Sequence, residues 1–103
     1  MSVVVVAVIT PLEGHLQRVV DAFAVVAPRV HAEQGCELYA LHHDADNVIM
    51  IERWSSPADL AAHAAGAPIG ELNALLADHV EGPTDVSVLE SVPLGESAKG
   101  TIQ

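Results

Sequence analysis

Two ring systems nine positions apart, Trp54 and His63, carry the most direct chemistry in this sequence. They belong to the stretch MIERWSSPADLAAHAAG, where a β-like run gives way to a helix start. An indole N–H is a donor only. At a strand end it either points into a cavity between sheet and helices, where it would hold an acceptor oxygen, or plugs the core. An imidazole with an ordinary pKa near 6.5 suits proton abstraction at neutral pH. His63 shares the inward stripe of Leu60, Ala64 and Ala67, a place where a His also serves as a satisfied structural group. The alanines around it leave room that bulkier residues would fill. His63 is therefore the first candidate for a base or a ligand-orienting group.

The other candidates are weaker. His79 falls on the apolar stripe of Ile69, Leu72 and Leu76, with Asn73 beside it. It either reaches the same cavity or satisfies carbonyls at a helix end. Tyr39 projects to the same side of its strand as Glu37 and Leu41, as a cavity wall with a hydroxyl or as a packing residue. Glu52 and Arg53 are neighbours on opposite faces, and Glu52 reads as architectural. Cys36 follows a glycine with no basic neighbour, which makes it a small buried apolar residue and not a nucleophile. His42 and His43 point to opposite faces and cannot chelate, while His15 and His31 read as solvent-side. No His-x-x-x-His spacing supports a metal site. There is no Gly-rich phosphate loop, serine nucleophile motif or dinucleotide fingerprint.

The elements that position these groups follow from periodicity. The β-branched run Val3 to Ile9, stopped by TPLEG, predicts a strand over residues 2–10. Leu16, Val19, Val20, Phe23, Val26, Ala27 and Val30 share one helical face. Pro28 is expected to kink that helix or stop it early, and Gly35 to close it as a left-handed cap. Cys36 to His43 and Val48 to Trp54 read as strands joined by the turn DADN. Ser56, Pro57 and Asp59 make a helix start. That helix ends at Gly66, and another runs from near Pro68 to about Val80. Val86, Val88 and Val92 alternate with Ser87 and Ser91 as a last strand. The expectation is one domain over residues 1–92 and a polar tail or arm over 93–103.

This order predicts an α+β, ferredoxin-like split βαβ fold: a four-stranded antiparallel sheet with helices on one face. The first and third strands are apolar on both faces, although one face lacks helices. The expected cover is a second copy, giving a homodimer through sheet faces.

Composition narrows the partners. Fourteen Asp and Glu against four Lys and Arg give a net charge of −10, which repels nucleic acid and anionic membranes. One cysteine fits a reducing compartment. The opening apolar run is too short to span a bilayer and lacks the basic segment of a signal peptide. A cytoplasmic protein is expected.

The stretch GCELYALHHDADNVIMIERWSSPADLAAH closely resembles the signature of the antibiotic biosynthesis monooxygenase (ABM) superfamily. The shared features are Gly-Cys before an aromatic on the second strand, a strand ending in Glu-x-Trp, a Ser/Pro helix start, and a His on that helix. The resemblance implies a dimeric α+β barrel, with Trp54 lining the pocket. It also implies oxygenation of a small apolar aromatic, quinol- or anthrone-like, without flavin or metal. Trp54 would then hold the substrate oxygen and His63 act as base. Tyr39, Met50, Leu60, Asn73 and His79 complete the expected substrate wall. Met50 and Leu60 stand where anthrone-oxidising members carry Asn and Tyr. Haem-degrading members carry an Asn where this chain is apolar, close to Val6. Haem binding through His63, or ligand binding without turnover, are the alternative functions that the resemblance allows.

Overall fold

The computed structural model describes residues 1–102. Among them the order is β1 (Val3–Ile9), α1 (Leu16–His31), β2 (Cys36–His43), β3 (Val48–Trp54), α2 (Pro57–Ala64), α3 (Ala67–Leu76), β4 (Asp85–Leu89) and α4 (Ser97–Gly100). The strands form an antiparallel sheet in the order β2-β3-β1-β4. This is the expected α+β ferredoxin-like arrangement.

Register decides what the helices cover. Val3, Val5, Ala7 and Ile9 lie opposite Trp54, Glu52, Met50 and Val48, so these eight share one face. Against it packs the buried stripe of α1, formed by Val19, Ala22, Phe23, Val26 and Val30, with Leu72 and Leu76 of α3. At 25 cal/mol per Å² of apolar surface, each large side chain buried here contributes roughly 1.5–3 kcal/mol.

Four boundaries differ from expectation. Helix α1 runs through Pro28 to His31. Pro28 and Ala24 are exposed, so the carbonyl that loses its i+4 N–H can bond water. Gly35 is left-handed (φ +80°), but it lies in the turn before β2, while α1 is capped at Ala32. Helix α3 stops at Leu76, short of Val80. Beyond it, the backbone turns to bridge the β1 exit: Leu12 N–H donates to His79 O at 2.9 Å, Glu81 N–H to Thr10 O at 2.9 Å, and Pro11 pairs with Val80. Strand β4 ends at Leu89, opposite Val4, because β1 begins at Val3 and offers no ladder for Val92.

The second face of the sheet carries Val4, Val6, Val8, Ile49 and Ile51. Val4 is buried and the others are half-buried. Part of the cover is the chain's own tail. Arg53 donates to Ile102 O at 2.7 Å, and Gly100, Thr101 and Ile102 lie with Val4 and Leu89 around a shallow groove.

Candidate active site

A cavity of about 420 Å³ lies between the helix-facing side of the sheet and the three longer helices. Val5, Ala7 and Met50 form its floor, and Leu60, Leu72 and Phe23 its apolar walls. Asn73, Thr84 and Val86 stand where the chain is exposed, at the mouth. Its titratable lining groups are Tyr39, Glu52 and His63, and no Lys or Arg lines it among the described residues.

His63 is brought there by α2. Ser56 caps that helix, its Oγ accepting from Asp59 N–H at 3.1 Å, and Pro57 occupies the first turn. The stripe of α2 then turns His63 inward until it is 4% exposed. Its ring stacks on Trp54 (centroids 4.4 Å, 27°) and meets Tyr39 edge-on at 5.9 Å. Nδ1 lies 2.8 Å from Glu33 Oε1. Nε2 lies 3.9 Å from Glu52 Oε1, too far for a hydrogen bond.

Glu52 and Tyr39 meet across the sheet because β2 contains a bulge. The register shifts between Cys36 and Leu38, which sets Tyr39 directly opposite Glu52. Strict alternation would put Glu37 on the side of Tyr39. Instead Glu37 is exposed and pairs with Arg53 at 2.8 Å. Burial raises the Glu52 carboxyl above the ordinary glutamate range. The Trp54 N–H and the His63 ring pull it down, and Glu33 adds to the rise. Burial, helped by Glu52 and Glu33, holds the Tyr39 phenol far above its usual range. In the apolar hollow, burial therefore disfavours the charged form of both groups. Burial likewise raises the Cys36 thiol, with Glu33 and Glu52 adding to it.

Of the expected site residues, His63, Tyr39, Met50, Leu60 and Asn73 are brought to the cavity wall. Trp54 and His79 are not. Trp54 is fully buried behind His63, and its Nε1–H is spent on Glu52 Oε1 at 2.9 Å. It therefore buttresses Glu52 and the imidazole, and its N–H is not free for a substrate oxygen. His79 leaves α3 when the backbone turns toward β1. Its Nδ1 lies 2.9 Å from that of His15, so His15 is also partly buried and not solvent-side. Glu52, expected to be architectural, lines the cavity, and Glu33 is a contact that the sequence reading did not contain.

The family described as Antibiotic biosynthesis monooxygenase matches residues 2–75. The chain belongs to that family. It is 39% identical over 64 residues to the Escherichia coli K12 protein named "Probable quinol monooxygenase YgiN", and equally to its Shigella flexneri counterpart. Those matches cover 52% of this chain and 62% of the relatives' length. Among solved structures, Rv0793 from Mycobacterium tuberculosis superposes with a TM-score of 0.81 at 24% identity. The match covers 94% of this chain and 99% of that one. PA3566 from Pseudomonas aeruginosa gives 0.79 at 23% identity, over 88% and 94%. At such identities these two structures establish the fold alone.

Proposed function

We propose that the chain is a monooxygenase that oxidises a neutral, electron-rich aromatic of the quinol type with O2, without flavin or metal, and that His63 is its base. One observation carries this reading. The cavity presents a single imidazole beside one buried carboxyl, on largely apolar walls with no Lys or Arg among the described residues. Such a lining rejects carboxylates and phosphates and suits a flat phenolic ring. Family membership supports the reaction class, and the partial likeness to a protein named as a quinol monooxygenase supports the substrate class.

In this reading His63 Nε2 takes the proton of a phenolic O–H, and the phenolate passes one electron to O2. Substrate radical and superoxide then combine at a ring carbon that bears hydrogen. With the proton returned from the imidazolium, the product is a hydroperoxide. Loss of water across that carbon leaves a C=O group. The substrate gains one oxygen and loses two hydrogens, the other oxygen leaves as water, and the substrate supplies all four electrons. Glu52, braced by the Trp54 N–H, is the polar group on the cavity wall left to orient the substrate oxygen that Trp54 cannot hold. The apolar walls favour charge transfer by fixing the ring and limiting water around it.

The working form is a homodimer through the second sheet face, where Val6, Val8, Ile49 and Ile51 remain half-exposed. No described helix is long and apolar enough to cross a membrane, and the one free cysteine suits the reducing cytoplasm. The test is oxygen uptake by chelator-treated protein with a panel of hydroquinones and anthrones. One O2 consumed per substrate, with one 18O atom from 18O2 in the product, is the expected result. Saturable binding without uptake by any compound would make the protein a ligand binder and overturn the reading.

A further inference from the structure

We propose that Glu33 is a positioning residue that holds His63 in its Nδ1–H tautomer, so that the lone pair of Nε2 faces the cavity. The proposal rests on the reading of His63 as the base and assigns the part that makes it one. A neutral imidazole carries its proton on either nitrogen, and only the unprotonated one can accept a substrate proton. A carboxylate is an acceptor alone. With Glu33 Oε1 2.8 Å from Nδ1, the proton is drawn to that nitrogen. Nε2, which lines up toward Glu52 and the cavity without a bond of its own at 3.9 Å, is left free to act.

The surroundings of Glu33 are built to keep it there. It sits in the turn between α1 and β2, its N–H donating to Val30 O at 3.0 Å and its carbonyl accepting from Cys36 N–H at 3.2 Å. The turn is clamped to the start of α2. Gly35 O accepts from Ser55 N–H at 2.8 Å. The Asp59 carboxylate, bonded to Ser55 Oγ, packs so tightly on Gly35 that a Cβ there would collide with it. Asp59 precedes His63 by one helical turn, so the clamp sets the register between the carboxylate and the ring. At the far end, a Cβ on Gly66 would lie 3.2 Å from Glu33 Oε2, so glycine makes room for the second oxygen. Trp54, stacked on the imidazole, fixes the plane in which the ring meets Glu33. An ion pair kept only for stability would not need the other nitrogen to open on a cavity.

The experiment is long-range 1H–15N correlation NMR of the His63 ring at pH 8.5, assigned by its loss in His63→Gln. A near-isosteric variant, Glu33→Gln, keeps the volume but can donate as well as accept, and so releases the constraint. The expected result is a single Nδ1–H population in the wild type that gives way, wholly or in part, to Nε2–H in Glu33→Gln. In the same variant kcat falls roughly ten- to a hundred-fold with KM nearly unchanged. A wild-type ring with Nε2–H, or with both nitrogens protonated, overturns the proposal, as does Nδ1–H retained in Glu33→Gln. The tautomer is read without substrate. If it behaves as expected while the wild type consumes no oxygen, the oxygenase reading fails and the positioning role stands.

Discussion

At the scale of residues, the site is a chain of polar groups from Glu33 through His63 to the Glu52 carboxyl, which the Trp54 N–H braces. Glu52 has a consequence for stability. Burial raises its pKa in the folded chain, so the folded state holds that proton more tightly than the unfolded one. Stability is then complete below the ordinary glutamate value of about 4.3 and declines as pH rises through the folded value. Glu52→Gln never ionises, and its amide oxygen can still accept from Trp54. Urea midpoints at equal protein concentration should coincide near pH 4, with the variant the more stable at pH 8. Equal midpoints at both values would refute the burial argument. Trp54 and His63 were legible in the sequence because a strand end and a helical stripe place them in one layer. Their division of labour was not. It depends on which acceptor the indole N–H finds, and on a glutamate thirty residues from the histidine in a turn that periodicity does not reach. Tyr39 was read as a wall or a packing residue, and the bulge that sets it opposite Glu52 has no periodic signature.

At the scale of elements, the site depends on how α2 is fastened to the turn before β2. Gly35 combines a φ of +80° with close contact to the Asp59 side chain. Gly35→Ala therefore meets both backbone strain and a clash. A loss of about 1–3 kcal/mol is expected from the strain alone, measured by urea unfolding, together with a weakened Glu33–His63 contact. Ser56→Ala removes the cap of α2 at a cost of about 1 kcal/mol. Unchanged stability in Gly35→Ala would mean that the turn is not the anchor described. Strands β1 to β3 and the start of α2 followed directly from β-branched runs, turn residues and capping chemistry. The ends of α3 and β4 did not, because tertiary pairing sets them: a bridge to the β1 exit draws off the last turn of α3, and β4 ends where β1 has no more partners. His79 was misplaced for the same reason. Its stripe is genuine as far as Leu76, and the helix stops before the histidine.

At the scale of the whole molecule, both faces of the sheet carry apolar residues, and the helices cover one. Val6, Val8, Ile49 and Ile51 on the other are half-buried within the chain, and the described tail residues lie near Val4 and Leu89. Sedimentation equilibrium should therefore report a dimer, and Ile51→Glu, which buries a charge in the paired face, should shift it to monomer. A wild-type monomer at micromolar concentration would contradict the pairing. The acidic surface was legible from composition alone, whereas the contribution of the tail to sheet cover was not, since a Gly/Ser-rich segment carries no pattern that points to its docking site. The central claim, a base in an apolar pocket that lets O2 act on a phenolic ring directly, is tested most directly by one comparison. With a hydroquinone that the wild type oxidises, folded His63→Ala should consume oxygen about a hundred- to ten-thousand-fold more slowly. A rate within about twofold of the wild type would contradict that claim.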